Sequence, residues 1–132
     1  MYSFQYRKAK SLAEAGEVLA KDDEAKPLSG GMTLIPTLKQ RLAQPTQLVD
    51  IAGLPELAGI EMKGGVLTIG AATRHADVAA SKVVQDAIPA LACLAAGIGD
   101  PQVRNRGTLG GSVANNDPAA DYPAAVLALN AK

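Results

Sequence analysis

Two glycine-bearing segments carry the residue types of this sequence that are best suited to binding chemistry. The first is SGGMTLIP, residues 29–36, and the second is GTLGGSVANNDPAAD, residues 107–121. A glycine weakens a helix or strand by about 0.5–1 kcal/mol relative to alanine, so several close together indicate that the bare backbone is used. Glycines let the backbone approach a bulky ligand, and free N–H groups where a helix begins favour anions. The pattern therefore predicts a phosphate-bearing ligand.

Each segment also has an ordinary alternative. A double glycine after a strand is often a plain turn, and the second segment could be an irregular surface loop with Asx turns. Neither segment contains GxGxxG or GK[ST], so the sequence indicates neither a dinucleotide-binding Rossmann fold nor a P-loop. In the phosphate interpretation, Thr33 adds a hydroxyl donor, and Asn115 and Asp121 bind sugar or ribityl hydroxyls. The second segment then supplies further N–H and hydroxyl donors: Thr108, Gly110, Gly111 and Ser112.

Charge and composition exclude several other classes of protein. The 132 residues include 13 basic and 13 acidic side chains without a long run of either sign. This balance argues against binding to nucleic acid or to a membrane surface through bulk charge. No segment approaches the length of a membrane span. The single cysteine permits no intrachain disulfide and no cysteine cluster for zinc or iron–sulfur, so the cytoplasm is the expected compartment.

Two single residues are expected to have structural roles. His75 is the only histidine, which excludes a histidine-based triad or a multi-histidine metal site. It is predicted to be a capping or surface residue near the start of a helix. Cys93 is predicted to pack on the apolar face of a helix over residues 90–96. Because no pair of carboxylates indicates hydrolase chemistry either, the sequence predicts no catalytic side chain and no metal site.

The hydrophobic pattern of residues 1–53 predicts alternating strands and helices. Ser11 and Glu14 form a capping box that opens the first helix. The elements are expected in the order β-α-β-α-β: residues 3–8, a helix from residue 11, residues 25–28, 34–43 and 47–52. This order favours a small parallel sheet with right-handed crossovers.

The pattern changes after residue 53. IEMKGGVLTIGAA, residues 60–72, predicts a hairpin that turns at Gly64 and Gly65. Short helices are predicted near 74–80, 82–88 and 90–96, and over DYPAAVLALNAK, residues 121–132. The predicted fold class is therefore α+β, with a β-α-β-α-β lobe at 1–53, a mixed lobe at 54–132, and the ligand in the cleft between them.

Both glycine-bearing segments match a known family. SGGMTLIPTLKQR together with IGDPQVRNRGTLGGSVANNDPAADYPAAVLAL resembles the FAD-binding (medium) subunit of molybdenum hydroxylases, such as xanthine dehydrogenase and aerobic carbon monoxide dehydrogenase. FQYRKAKSLAEA and LTIGAATRHADV also fit the family. The resemblance implies an FAD-binding fold of the second, PCMH-like type. Since the family's subunit continues well beyond this point, the chain is expected to be an N-terminal fragment, with an incomplete second lobe and incomplete FAD binding.

The resemblance also implies which residues hold the cofactor. The FAD diphosphate would lie on Gly30, Gly31, Met32, Thr33 and Leu34, with Ser29 and Ile35 flanking. The second segment would add Thr108, Gly110, Gly111 and Ser112. Asn115 and Asp121 would hold the hydroxyl-bearing parts of FAD, and Ile98 would lie near the flavin ring, where an aliphatic side chain gives contact without stacking.

The function implied by the resemblance is electron transfer. The flavin would receive electrons that originate at a molybdenum centre on a large molybdopterin subunit and pass through [2Fe-2S] clusters on a small iron–sulfur subunit. It would deliver them to an external acceptor such as NAD, a quinone or oxygen. Two alternatives stay open. One is a stand-alone flavoprotein oxidase or reductase of the same fold; a covalent flavin link would favour it, but the lone His75 does not lie in either segment. The other is a non-enzymatic nucleotide-binding or assembly module.

Overall fold

The structure, a computed structural model, describes every residue from Met1 to Lys132. The strands are β1 (Gln5–Lys8), β2 (Lys26–Leu28), β3 (Gln47–Asp50), β4 (Ile60–Lys63) and β5 (Val66–Ile69). The helices are α1 (Leu12–Lys21), α2 (Leu34–Lys39), α3 (His75–Ala80), α4 (Lys82–Ala87), α5 (Pro89–Gly97), α6 (Pro101–Arg104), α7 (Leu109–Asn115) and α8 (Asp121–Ala128), with a 3-10 turn at Pro55–Leu57. The predicted α+β class is confirmed.

The first three strands form a parallel sheet in the order β1-β3-β2, as predicted. The central strand β3 pairs with both neighbours, so that Leu48 lies opposite Tyr6 on one side and opposite Lys26 on the other. The chain leaves the carboxyl end of β2 through SGGMT, residues 29–33, before α2 begins. Ligands of parallel sheets bind beyond the carboxyl ends of the strands. The first glycine-bearing segment therefore lies at the edge where a binding site is expected.

Helix α1 begins at the predicted capping box. The Oγ of Ser11 accepts the N–H of Glu14 at 3.1 Å, and the Glu14 carboxylate accepts the N–H of Lys10 at 2.9 Å. These bonds satisfy backbone donors that a helix start leaves without partners. The helix packs its buried face on the sheet, where the first hydrophobic cluster consists of Ala9, Ala15, Val49 and Leu54.

Helix α2 ends at Lys39 and is therefore four residues shorter than its predicted range of 34–43. Arg41 adopts a left-handed conformation at φ 58°, which a continuing helix does not allow. Its N–H closes the turn on the carbonyl of Leu38 at 3.1 Å. With only six residues, α2 has a small dipole, so any anion bound at its start depends mainly on free backbone donors.

The second half of the chain contains the predicted hairpin and helices. Strands β4 and β5 pair antiparallel, with Lys63 opposite Val66 and a two-residue turn between them. Gly64 and Gly65 have φ values of 57° and 79°, as this type of hairpin turn requires. A second hydrophobic cluster joins α3, α4, α5 and α8 through Val78, Val84, Leu91, Ala92, Ala95 and Tyr122. None of the helices has the length and apolar character needed to cross a bilayer.

The second glycine-bearing segment, residues 107–121, is helical over Leu109–Asn115, whereas residues 116–120 form an irregular turn that includes an Asx turn at Asp117. Asp100 opens α6 by accepting the N–H of Val103 at 2.9 Å, and Thr108 opens α7 by accepting the N–H of Gly111 at 3.2 Å. The Thr108 cap thus makes the first part of the segment helical in spite of its glycines, and the Asp100 cap opens the short helix that precedes it. The prediction for Cys93 is wrong, because its side chain is exposed on α5. The division into lobes at 1–53 and 54–132 stays a prediction.

Candidate functional site

A cavity of about 600 Å³ lies where the two glycine-bearing segments meet. This volume falls in the range of ligand pockets, roughly 300–1,000 Å³. Thirteen of the fourteen predicted site residues line it: Ser29, Gly30, Gly31, Met32, Thr33, Leu34, Ile98, Thr108, Gly110, Gly111, Ser112, Asn115 and Asp121. Ile35 does not line the cavity. It lies in the first turn of α2, and its N–H is bonded to the carbonyl of Gly31 at 2.9 Å.

The loop after β2, which lines this cavity, contains a run of free backbone donors. The N–H groups from Ser29 to Leu34, six in succession, have no acceptor within the chain, and internal bonding resumes only at Ile35. Gly31, at φ 75°, permits the left-handed turn inside the loop. Buried N–H groups are almost always paired in folded proteins, and four of these six residues are half-buried, whereas Met32 and Thr33 are exposed to water. A run of free donors beside a cavity is therefore suited to an anion with several oxygens.

Gly30 is the point at which the two segments touch. A Cβ at this position would lie 2.3 Å from the carbonyl oxygen of Arg106 and 2.7 Å from the Cα of Gly107. Any side chain would therefore collide with backbone, and glycine alone allows the crossing. Beside it, the hydroxyl groups of Ser29 and Thr108 lie 3.1 Å apart and form a hydrogen bond. The close approach of the two chain segments thus builds the cavity wall.

The second segment does not supply the backbone donors that were expected at Gly110, Gly111 and Ser112. Their N–H groups donate within the chain, to the Ala71 carbonyl at 2.9 Å, the Thr108 hydroxyl at 3.2 Å and the Thr108 carbonyl at 3.1 Å. The reason is structural, since these residues form the capped first turn of α7. Of this part of the segment, only Thr108 keeps an N–H without an acceptor. Contact of Gly110, Gly111 and Ser112 with a cofactor stays a prediction.

Two polar side chains that line the cavity are suited to hydroxyl groups. Asn115 and Asp121 are exposed and form no hydrogen bond within the chain through their side chains, whereas Asp117 is engaged in an Asx turn with the N–H of Ala119 at 2.9 Å. Ile98 contributes apolar surface at the end of α5. The Arg104 guanidinium donates to the carbonyls of Ile98 and Gly99, both at 3.0 Å, and so fixes this turn.

His75 is the one titratable, buried residue among the cavity residues that were not predicted from the sequence. It was predicted to cap a helix or lie at the surface, but its side chain is only 4% exposed and lines the cavity. Burial lowers the pKa of its imidazole, and the nearby Asp121 carboxylate opposes that effect. His75 and Val78 are three residues apart on α3, so they share a helix face, and Val78 is fully buried. This spacing was the sequence feature that could have indicated burial.

Comparison with known proteins identifies the family. The family model for the FAD binding domain in molybdopterin dehydrogenase matches residues 2–132. The chain belongs to this family. The predicted resemblance is thereby confirmed, and so is FAD as the cofactor of this FAD binding domain.

Similar chains include named dehydrogenase components. The domain is 46% identical over 129 residues to the carbon monoxide dehydrogenase medium chain of Hydrogenophaga pseudoflava, across 97% of this chain and 45% of that one. It is 45% identical over 130 residues to the 6-hydroxypseudooxynicotine dehydrogenase complex subunit alpha of Paenarthrobacter nicotinovorans, across 98% of this chain and 44% of that one.

A solved structure is similar along nearly the whole domain. It is the carbon monoxide dehydrogenase from Hydrogenophaga pseudoflava which lacks the Mo-pyranopterin moiety of the molybdenum cofactor. The TM-score is 0.94 at 46% identity, over 96% of this chain and 45% of that one. The FAD binding domain described here thus spans about half the length of the relatives that it matches.

Proposed function

We propose that this domain holds FAD in the cavity, with the diphosphate on the loop Ser29–Leu34, and serves electron transfer in a molybdenum-containing dehydrogenase. The observation that carries the proposal is the run of six backbone N–H groups without an acceptor. A hydrogen bond to a charged group contributes about 1.5–3 kcal/mol. A diphosphate offers several anionic oxygens, so it can engage more than one of these donors at once. The donor set therefore fits the group.

The proposed site continues along the cavity. Asn115 and Asp121 hold hydroxyl groups of the cofactor, since both side chains line the cavity and are free of other bonds. Ile98 provides apolar contact for the ring system. Gly110, Gly111 and Ser112 contribute by lining the wall, and the hydroxyl bond between Ser29 and Thr108 holds the two segments together.

We also propose that the two lobes, 1–53 and 54–132, enclose the cofactor between them. Two observations support this division. The chain has two separate hydrophobic clusters, one on the parallel sheet and one among the helices that follow the hairpin. The cavity takes its free donors from the first lobe and its hydroxyl-binding side chains from the second. The first cluster extends slightly past the proposed boundary, because Leu54 belongs to it and Leu57 packs against it.

When bound, FAD supplies the electron-transfer chemistry, and the chain binds and orients it. In the proposed route, electrons arrive from a molybdenum centre through [2Fe-2S] clusters on partner subunits and leave to NAD, a quinone or oxygen. Support comes from the relatives, which are named as a medium chain and as one subunit of a dehydrogenase complex. The partners are then a large molybdopterin subunit and a small iron–sulfur subunit. The proposed compartment is the cytoplasm, in keeping with the single cysteine.

A ligand series tests the binding part of the proposal. Isothermal titration of the chain with FAD, ADP and riboflavin separates the diphosphate from the flavin. FAD and ADP both carry the diphosphate and are both expected to bind. Riboflavin, which lacks the diphosphate, is expected to bind far more weakly than FAD. Equal affinity for riboflavin and FAD would show that the loop Ser29–Leu34 does not hold the diphosphate.

A reduction experiment tests the electron route. The FAD-loaded chain is mixed without oxygen with the chemically reduced iron–sulfur subunit of the same complex, and flavin absorbance is followed. Loss of the absorbance on mixing supports the route. A flavin that stays oxidised, although FAD is bound and the two proteins form a complex, contradicts it.

A further inference from the structure

His75 places an unsatisfied polar group in the wall of the cavity. Its side chain is more than nine-tenths buried, and the imidazole forms no hydrogen bond within the chain. Nδ1 is fully buried without a partner. Buried polar atoms in folded proteins are nearly always hydrogen-bonded, and each exception calls for an explanation. Nε2 has no hydrogen bond within the chain either, but it is not among the fully buried atoms, so it is the ring nitrogen that stays open to a partner from the cavity.

The surrounding residues hold the ring but do not satisfy it. A Cβ on Gly107 would lie 2.6 Å from Nε2, so glycine at this position leaves room for the imidazole. The Tyr122 ring lies 5.3 Å from it between centroids, tilted by 39°. The Tyr122 hydroxyl is itself buried without a partner, and burial raises its pKa, so it stays protonated. The ring of His75 is thus fixed between Gly107 and Tyr122.

The two ring nitrogens differ in their access to the cavity. Nδ1 is sealed off, whereas Nε2 lies against Gly107, which lines the cavity together with His75. A neutral imidazole carries one N–H donor and one acceptor. Because burial lowers the pKa of His75, the neutral form prevails near neutral pH. Nε2 is therefore the atom that can serve a ligand.

We propose that His75 is a cofactor-contacting residue of this domain, whose Nε2 hydrogen-bonds an oxygen of bound FAD. The inference rests on the proposed function, since it requires that the cavity holds FAD. FAD offers phosphate oxygens in its ADP half and ribityl hydroxyls in its riboflavin half, and either can pair with Nε2. Tyr122 acts as a positioning residue that fixes the plane of the imidazole.

Two variants separate a ligand contact from a packing role. His75→Gln keeps a polar group near the position of Nε2, and His75→Leu fills the space without one. We expect His75→Leu to weaken FAD binding about 10- to 100-fold if Nε2 pairs with a phosphate oxygen, and about 2- to 10-fold if it pairs with a ribityl hydroxyl, on the scales of a charged and a neutral hydrogen bond. His75→Gln is expected to stay within about threefold of the unmodified chain, on the scale of 0.7 kcal/mol. Repeating the titrations with ADP and with riboflavin identifies the half of FAD that His75 contacts.

Nuclear magnetic resonance gives a readout that does not depend on any variant. Since His75 is the only histidine, its two imidazole nitrogens give one pair of 15N resonances. FAD is expected to shift the Nε2 resonance and to slow the exchange of its proton, while Nδ1 changes little. Unfolding in urea, measured for each variant without ligand, establishes that the variants are folded.

The outcomes are distinct. An Nε2 shift together with weaker binding by His75→Leu supports the inference. A folded His75→Leu chain that binds FAD as well as the unmodified chain overturns it. So does weaker binding by His75→Leu if FAD leaves the Nε2 resonance of the unmodified chain unchanged, because the role of His75 is then structural. Because incomplete FAD binding is expected of this chain, the proposed function, and this inference with it, is overturned if neither FAD nor ADP binds to a version extended to the full length of its relatives.

Discussion

The loop after β2 can be tested with two matched glycine substitutions, Gly31→Ala and Gly65→Ala. Both glycines have a left-handed backbone, at φ 75° and φ 79°. An alanine in this conformation costs about 1–2 kcal/mol at either position. The two sites differ in their surroundings, because a Cβ on Gly65 meets nothing within 4 Å. Gly65→Ala therefore reproduces the backbone penalty of Gly31→Ala at a place remote from the free donors.

At Gly31 the added methyl group also has to displace neighbours. It would lie 2.9 Å from Cγ1 of Ile35 and 3.1 Å from Cδ1 of Leu28. Both atoms belong to flexible side chains, so the protein is expected to fold after a small shift of the loop. Overpacking of this kind costs about 1–3 kcal/mol. Gly31→Ala is thus expected to be less stable than Gly65→Ala in urea unfolding.

The difference in FAD affinity follows from the donors that the shift displaces. Loss of one N–H bond to a charged oxygen removes about 1.5–3 kcal/mol, and each 1.4 kcal/mol is about tenfold in affinity. Gly31→Ala should weaken FAD binding by about 10- to 100-fold, while Gly65→Ala should leave it unchanged. The assay is quenching of flavin fluorescence, with riboflavin as the ligand that lacks the diphosphate. If folded Gly31→Ala binds FAD within about threefold of Gly65→Ala, the loop does not hold the diphosphate.

Three further predictions concern single groups. Tyr122→Phe removes a buried hydroxyl without a partner, so the free energy of unfolding should stay equal or rise by up to about 1 kcal/mol; a clear loss in urea unfolding would mean that the hydroxyl has a partner. Thr108→Val and Ser81→Ala each remove a helix cap and should each cost about 1 kcal/mol, but only Thr108→Val should also weaken FAD binding, because Thr108 is bonded to a cavity residue. The third prediction is a pH dependence. Burial lowers the pKa of His75 in the folded chain, so its contribution to stability is complete above the unfolded pKa of about 6.5 and is lost as the pH falls through the lower, folded pKa. The unmodified chain should therefore lose more unfolding free energy than His75→Leu between about pH 7.5 and pH 5. Equal losses in the two chains would show that the pKa of His75 is not lowered by folding.

Much of the fold could be predicted because its causes are local. The capping box at Ser11 and Glu14 fixes the start of α1, and the pair Gly64–Gly65 fixes the turn of the hairpin. The β-α-β-α-β order then leads to a parallel sheet through the handedness of crossovers. In each case a few adjacent residues determine the outcome, so no knowledge of distant contacts is needed.

The parts that could not be predicted depend on contacts between distant residues. The end of α2 depends on the left-handed conformation of Arg41. Glycine and asparagine are the residues that usually indicate such a conformation, and neither occupies this position. The burial of His75 depends on Tyr122, which is 47 positions away in the sequence but packs beside it with its ring tilted. Cys93 was assigned to a buried face because α5 is apolar nearly all round, and periodicity then does not distinguish its inner face from its outer face.

The two glycine-bearing segments were predicted to act alike, and the hydrogen bonds show that they do not. In the first, six N–H groups stay free, so its backbone is available to a ligand. In the second, the N–H groups of Gly110 and Gly111 are engaged, and the small size of these residues serves the packing of α7 against Ala71 and Thr108. Similar glycine content thus supports two different physical tasks. A sequence records where the backbone lacks side chains, whereas only the tertiary arrangement determines which of its donors remain free for an anion.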